Sequence, residues 1–201
     1  MAIILASQSP RRRELLRLLY DDFKTASASI NENIAKDEDV AVAAMSLAFQ
    51  KAFAVAQAQT EKHLIIGADT VVSADAVFGK PRSAKEAKAM LRALAGRKHQ
   101  VVSGVAIVES TTNRKCVFYH RTEVIMRPLD DAQIDAYIAT GEPFDKAGGY
   151  GIQGYGALLV EAINGDYYTV MGLPVARLDD VLGRYFADYP TRLALGVSHA
   201  D

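Results

Sequence analysis

Residues suited to binding an anion follow directly after the apolar run at positions 3–6. Ser9 and Pro10 are typical of a helix N-cap and a first helical position, which places the arginines at 11–13 in the first turn. Cations there face the positive end of the helix dipole, at a cost of up to about 1 kcal/mol each. A polyphosphate bound by the arginines, by backbone N–H groups and by the hydroxyls of Ser7 and Ser9 would offset that cost. Exposed arginines paired with acidic neighbours are the alternative, and both interpretations stay open.

Asp69 is a second candidate, because it lies inside the apolar segment 63–72, which is predicted to be a buried strand. A carboxylate is costly to bury unless it is hydrogen-bonded, paired or bound to a metal. A functional role is therefore favoured over structural pairing with a lysine such as Lys80. Glu32, in a polar loop, is either a further oxygen ligand for a divalent cation or simply solvated.

Three lysines and one glutamine complete the set of candidates from the residues alone. Lys51, Lys80 and Lys146 are either phosphate contacts or ordinary surface charges, and Lys80 is favoured because Gly79 and Pro81 restrict its backbone. Gln153 lies in the glycine-rich segment 145–156, which is either a tight crossover or a close approach of backbone groups to a flat ligand.

The elements that must position these residues alternate between strand and helix patterns, which predicts one mixed α/β domain over residues 1–190, either as one compact body or as two lobes, with a peripheral tail at 191–201. Strands are predicted at 3–6, 23–28, 63–72, 77–81, 100–109 and 116–126. Helices are predicted from residue 10 and at 40–59, 83–94, 131–140 and 174–185. The segment 145–156 is predicted to be an irregular loop.

Composition excludes several classes of protein. Lys and Arg total 23 against 24 Asp and Glu, so no broad basic surface for nucleic acid or anionic membrane is expected. One cysteine and four scattered histidines argue against disulfides and zinc. We expect no signal peptide, no membrane-spanning segment and a cytoplasmic location. No P-loop motif and no dinucleotide-binding glycine motif is present.

Taken together, these motifs resemble the Maf family of nucleoside triphosphate pyrophosphatases. The resemblance covers nearly the whole chain in order, apart from the C-terminal tail. It rests on Ala6-Ser7-Gln8-Ser9-Pro10-Arg11-Arg12, Gly67-Ala68-Asp69-Thr70, Asp145-Lys146-Ala147-Gly148-Gly149-Tyr150-Gly151-Ile152-Gln153-Gly154, Asn164-Gly165-Asp166-Tyr167-Tyr168 and Gly172-Leu173-Pro174.

The resemblance implies an elongated mixed-sheet α/β fold similar to the inosine triphosphate pyrophosphatase group, with a central cleft, and cleavage between the α and β phosphates. It implies that Asp69 is the catalytic proton acceptor. The positions linked to substrate choice are Arg11, Thr70 and Gln153. Further polar pocket positions are Ser7, Arg12, Glu32, Lys51, Lys80, Asp145 and Lys146.

The same resemblance implies a divalent cation, Mg²⁺ or Mn²⁺, with Glu32 and Asp69 as its ligands. Asn31 precedes Glu32 where the family often has a second acid, so the number of carboxylate ligands stays open. The Gly-Ile-Gln-Gly sequence at 151–154 resembles the branch acting on dTTP and UTP. The Gln153 amide can donate to the O4 carbonyl and accept from the N3–H of thymine or uracil, although cytosine stays possible if the amide flips.

A second hypothesis is a nucleotide-binding regulator of cell division or septum formation, whose output would depend on a partner. Retention of Asp69, Glu32 and the basic residues favours the enzyme. The resemblance is compatible with a homodimer, and a pyrimidine nucleoside triphosphate is the expected small-molecule partner.

Overall fold

The computed structural model describes residues 1–27, 30 and 38–196. Its strands are β1 (Ile3–Leu5), β2 (Lys24–Thr25), β3 (Leu64–Ser73), β4 (Val77–Phe78), β5 (Lys98–Glu109), β6 (Lys115–Met126) and β7 (Val160–Asn164). Its helices are α1 (Pro10–Leu16), α2 (Val40–Gln57), α3 (Ala84–Leu94), α4 (Asp131–Ala139), α5 (Tyr167–Met171), α6 (Val175–Tyr185) and α7 (Arg192–Gly196). The mixed α/β class predicted from the sequence is confirmed.

The strands form one mixed sheet in the order β2, β1, β3, β5, β6, β7, with β4 paired to β3. β1 is parallel to both β2 and β3, with Leu5 opposite Ile66. β4 and β7 pair in the antiparallel sense with β3 and β6. β3 and β5 are almost wholly buried, which agrees with their continuous apolar sequences.

The chain forms two compact units, each assembled from separate segments. Unit 1 comprises Met1–Asp69, Ser103–His120 and Gly172–Asp201. In its core, α2 packs against the first strands, and the buried residues are Ile4, Ala6, Ala48, Ala52, Val55, Ala56, Ile65, Ala106 and Val108. Unit 2 comprises Thr70–Val102 and Arg121–Met171. Its core joins α3, α4 and the strand segments through Val72, Leu91, Leu94, Val101, Val124, Met126, Ile134, Tyr137, Tyr150 and Leu159.

The helix α2 packs unusually close to the sheet, because glycines lie beneath it. A Cβ at Gly67 would be 2.5 Å from the carbonyl oxygen of Ala48 and 2.9 Å from the Cβ of Ala52. A Cβ at Gly104 would overlap the backbone of Ala44. Residues 44, 48 and 52 recur every four positions and so line one face of the helix. Backbone contact with the strands therefore requires small residues on both sides.

The same helix is long and apolar for a segment in which no membrane span was expected. Its 18 residues have a mean hydropathy of 1.4, so α2 has the length and composition to cross a membrane, although no such segment was predicted. Its alanine face is buried inside unit 1, including Ala44, Ala48 and Ala52. A single helix of this length and composition is weak evidence for a membrane span.

Other differences from the sequence predictions are local. The glycine-rich segment is not irregular throughout but contains 3-10 turns at Glu142–Asp145, Ala147–Gly149 and Gly154–Leu158. The short helices α5 and α7 were not predicted, and α7 lies in the expected tail. The predicted ligand Glu32, with Asn31 before it, falls outside the described residues, as do positions 197–201.

Candidate active site

Asp69 lies in β3 and its carboxylate is paired with a lysine of α2. The Lys51 ammonium is 2.5 Å from Asp69 Oδ1, and the two side chains are 16% and 12% exposed. Such a pair lowers the cost of burying each charge. The sequence offered Lys80 as the structural partner of Asp69, whereas the structure gives that contact to Lys51, which the sequence left as either a phosphate contact or a surface charge. Lys51 is therefore close enough to influence any chemistry at Asp69.

The glycine contact under α2 explains why Lys51 reaches Asp69. Side chains two positions apart on a strand point to the same face, so Asp69 and the missing side chain of Gly67 both face α2. Lys51 comes three residues after Ala48, on the same side of the helix. With the Gly67 backbone touching Ala48 and Ala52, α2 is held near enough for the lysine to form a direct ion pair.

The segment between β1 and α1 is held by its own polar groups. The Ser7 hydroxyl is buried and accepts from the Ser9 N–H at 3.2 Å. The Ser9 hydroxyl caps α1 by accepting from the Arg12 N–H at 3.4 Å, which confirms the predicted N-cap. Arg12 Nε donates to the Gly172 carbonyl at 2.9 Å. The Arg12 guanidinium is thus oriented by a structural contact that the sequence did not predict.

The two flanking arginines differ from Arg12 in their described contacts. Arg11 is half-buried at the second position of α1. Arg13 is also half-buried, and its Nε is buried without a hydrogen-bond partner among the described residues. The three arginines therefore have different surroundings.

Unit 2 contains the remaining candidates, and Lys146 is tied into the glycine-rich segment. Its ammonium donates to the Glu142 carbonyl at 2.6 Å and pairs with Asp145 Oδ1 at 2.6 Å. Its side-chain carbons pack where a Cβ of Gly151 would lie, 2.8 Å from Cε. Asp145 and Lys146, which are both pocket candidates, are thus brought together.

Gln153 is exposed within this segment, between two anchored glycines. The Gly151 N–H donates to the Tyr137 hydroxyl at 3.2 Å. On the other side, the Gly156 N–H donates to Glu142 Oε2 at 3.2 Å. A Cβ at Gly156 would overlap the Gly151 carbonyl oxygen, so the chain between them folds into a tight loop.

Tyr150, just before this loop, is buried in unit 2 rather than presented to a ligand. Its hydroxyl is 2.5 Å from His99 Nε2, and the two rings meet edge to face. Burial raises the pKa of Tyr150 and lowers the pKa of His99 to about 4, so both side chains are neutral at pH 7.

For Thr70 and Lys80 the structure gives a position and an exposure. Thr70 directly follows Asp69 in β3 and is half-buried, and Lys80 follows β4 with its side chain exposed. The Gly148 N–H donates to the carbonyl of Gly79 at 3.0 Å, which links the backbone beside Lys80 to the glycine-rich segment.

The sequence did not indicate the structural roles of Gly67, Tyr137 and Glu142, which shape these positions. One signal for Glu142 was available, since a glycine-rich loop leaves backbone N–H groups that need acceptors. Within the described ranges, no three His, Cys, Asp or Glu side chains cluster as metal ligands.

Comparison with known proteins agrees with the motifs. A family model described as Maf-like protein matches residues 2–185. The chain is 49% identical over 176 residues to a dTTP/UTP pyrophosphatase of Bacillus cytotoxicus, covering 87% of this chain and 91% of that one. Proteins of the same name from Bacillus cereus and Clostridioides difficile are 46% and 45% identical, covering 92% and 93% of this chain and 96% of each relative.

Solved structures give a weaker likeness. A dITP/XTP pyrophosphatase of Mycobacterium abscessus aligns over the whole of both chains at 16% identity with a TM-score of 0.47. The Ham1 protein of Staphylococcus aureus has a TM-score of 0.43 at 14% identity, covering 62% of this chain and 71% of that one. On the match of residues 2–185 and the high identity of its relatives, the chain belongs to the Maf family.

Proposed function

We propose that this protein hydrolyses dTTP and UTP to the nucleoside monophosphate and pyrophosphate. The observation that carries the proposal is the buried Asp69 carboxylate, held 2.5 Å from Lys51 at the position matching the family's proton acceptor. The names of relatives that are 45–49% identical support the substrates. The pair supplies a base beside a cation, as hydrolysis of a polyanionic substrate requires.

In the proposed reaction, Asp69 orients a water molecule and accepts its proton as the water oxygen attacks the α-phosphorus. The new bond joins the water oxygen to that phosphorus. The bond from the α-phosphorus to the oxygen bridging the α and β phosphates breaks, and its electron pair leaves with pyrophosphate. Lys51 places a positive charge beside the Asp69 carboxylate and beside the phosphates. The triphosphate is proposed to be bound by Arg11, Arg12, Lys80, Lys146 and the Ser7 hydroxyl.

A divalent cation fits this donor set only in part. Mg²⁺ is commonly held by one or two carboxylates together with substrate phosphates, and the described residues offer Asp69 for that purpose. Glu32 would be the second ligand by family resemblance. When bound, the cation would neutralise charge on the phosphates. Asp145 is proposed as a pocket residue acting through its pair with Lys146.

Base selection is proposed to rest on Gln153, with Arg11 and Thr70 as further contacts. A primary amide offers one donor and one acceptor, which match O4 and N3–H of thymine and uracil. Binding groups that would be left unpaired by another base discriminate strongly against it. A cytoplasmic location, where these nucleotides are made and used, is part of the proposal.

The test is hydrolysis of dTTP, UTP, CTP and dATP with Mg²⁺ or Mn²⁺, measuring pyrophosphate, orthophosphate and nucleotide products. We expect pyrophosphate and monophosphate from dTTP and UTP. Asp69→Asn should lower kcat by about 1000-fold or more while the melting temperature stays close to that of the parent, because the amide cannot accept the proton. Asp75→Asn, at an exposed carboxylate paired with Arg97, is the matched control and should keep activity.

Three outcomes would contradict the proposal. Orthophosphate as the first product would indicate a general phosphatase. Tight nucleotide binding without turnover would support the regulator instead. Near-normal pyrophosphate release by Asp69→Asn would remove Asp69 from the role assigned to it.

A further inference from the structure

Glu142 binds the loop that carries Gln153, although it lies 13 and 14 positions before the residues it contacts there. Its carboxylate accepts from the Tyr155 N–H at 3.0 Å through Oε1 and from the Gly156 N–H at 3.2 Å through Oε2. Both donors follow Gln153 within three residues. Bonds from backbone N–H groups to a carboxylate are charge-assisted and stronger than those between neutral groups.

The loop is built to bring its backbone against this carboxylate. Gly154 has φ +60°, a conformation that favours glycine, and a Cβ there would overlap Glu142 Oε1. Glu142 itself follows Gly141, which has φ +79° and turns the chain out of α4 into the 3-10 turn. Two glycines in the left-handed region thus permit the approach of Glu142 to the loop.

The backbone of Glu142 makes a separate contact. Its carbonyl oxygen accepts from Lys146 Nζ at 2.6 Å. A substitution that changes only the side chain leaves this carbonyl, and therefore the Lys146 contact, in place. The side chain of Glu142 therefore binds the loop that carries Gln153, whereas its backbone carbonyl binds Lys146, a proposed phosphate ligand.

We infer that Glu142 is a positioning residue for base recognition, acting through Gln153. The inference rests on the proposed function, in which the Gln153 amide recognises thymine and uracil. Without the carboxylate, two N–H groups lose their acceptor and the loop is no longer fixed, so the amide is no longer presented in one geometry. Base discrimination should then fall while the chemistry at the phosphates continues.

The experiment measures kcat/KM for dTTP, UTP, CTP and dATP in Glu142→Ala and Glu142→Gln. The ratio of kcat/KM for dTTP to that for CTP, and to that for dATP, is the readout, because the fraction of folded enzyme cancels in a ratio. We expect Glu142→Ala to lower both ratios by about 10-fold, the equivalent of one lost hydrogen bond, with kcat for dTTP changed by less than about 3-fold. Glu142→Gln keeps one acceptor oxygen, so its two ratios should lie between those of the parent and those of Glu142→Ala. If Glu142→Ala does not fold, the ratios of Glu142→Gln decide the question.

A double-mutant cycle separates positioning through Gln153 from any direct effect of Glu142. In a Gln153→Ala background, Glu142→Ala should leave both ratios unchanged, because the amide that Glu142 positions is already gone. Glu161→Ala, at an exposed glutamate of β7, is the matched control and should behave as the parent.

The failures are distinguishable. If the parent cleaves none of the four nucleotides, the proposed function is wrong and this inference with it. If the parent discriminates between bases and Glu142→Ala and Glu142→Gln retain both ratios, only the role of Glu142 is overturned. Additive effects of Glu142→Ala and Gln153→Ala on the ratios would likewise overturn it.

Discussion

Replacing Gly67 by alanine should damage both the core of unit 1 and the Asp69 pair. The added Cβ would lie 2.5 Å from the Ala48 carbonyl oxygen and 2.9 Å from the Ala52 backbone nitrogen and Cβ. Ordinary contact begins at 3.4 Å, so α2 must move by about 1 Å. The atoms in the way are mainly backbone, which cannot rotate aside as a side chain can.

The magnitude follows from two consequences of that shift. Overpacking a core typically costs about 1–3 kcal/mol, and we expect Gly67→Ala to lie in the upper part of this range because the backbone of α2 must give way. The shift also carries Lys51 away from Asp69, which it now contacts at 2.5 Å. A misplacement of about 1 Å in a catalytic group can cost about 100-fold in rate.

The assay pairs urea unfolding with pyrophosphate release from dTTP. We expect Gly67→Ala to lose about 2–3 kcal/mol in free energy of unfolding and 10- to 100-fold, in order of magnitude, in kcat/KM under conditions where it remains folded. Gly183→Ala is the control: nothing lies within 4 Å of a Cβ at this exposed position of α6. It should stabilise the helix by about 0.5–1 kcal/mol and leave activity unchanged.

The reasoning would be refuted if Gly67→Ala were as stable and as active as the parent. A loss of stability with full activity would refute only the link from helix position to the Asp69 pair. The two measurements therefore test packing and catalysis separately.

Two further predictions concern stability. Because burial lowers the pKa of His99 from 6.5 to about 4, the unfolded chain binds an extra proton between these values, and the free energy of unfolding should fall by about 3 kcal/mol as pH drops through that window. Urea unfolding of His99→Gln over the same range should lack this loss, and equal pH dependence in both proteins would contradict it. Glu109→Gln should lower the free energy of unfolding in urea by about 2 kcal/mol without changing kcat, because buried Glu109 pairs with Arg114 and Lys62. The loss should not be larger, because Arg114 and Lys62 are partly exposed and this weakens the pairs. An unchanged unfolding midpoint would show that these pairs contribute nothing net.

Periodicity and capping signals were enough to predict most elements of the fold. α3 and α4 begin within a residue of their predicted starts, since Ser83 and Asp130 cap them as N-cap residues do. The buried strand β3 was evident from its apolar run. α5 was missed because five residues, Tyr167–Met171, are too few for a helical period to show. Glycine content concealed the 3-10 turns, since the left-handed φ of Gly148 interrupts any simple pattern.

For the candidate site, the residues that could take part were predictable from the sequence, but the side chains and backbone groups that they contact were not. Asp69 stood out because a carboxylate in an apolar strand needs a partner, yet nothing in the sequence selected Lys51 over Lys80. That choice depends on how closely α2 approaches β3, which depends on Gly67 having no side chain. Likewise, the hydrogen bonds from Tyr155 and Gly156 to Glu142 join residues 13 and 14 positions apart, beyond the range of local patterns.

The discontinuous make-up of the two units has a consequence for the order of folding. Unit 2 has all its segments once Met171 has been synthesised, whereas unit 1 still lacks Gly172–Asp201. Those last residues supply contacts that unit 1 uses near its start, including the Tyr189 carbonyl bonded to the Tyr20 hydroxyl and the Arg192 N–H bonded to the Leu19 carbonyl. Contacts so distant in sequence are slow to form. During translation, the surroundings of the arginines at 11–13 are therefore incomplete until the segment that begins at Gly172 has been synthesised.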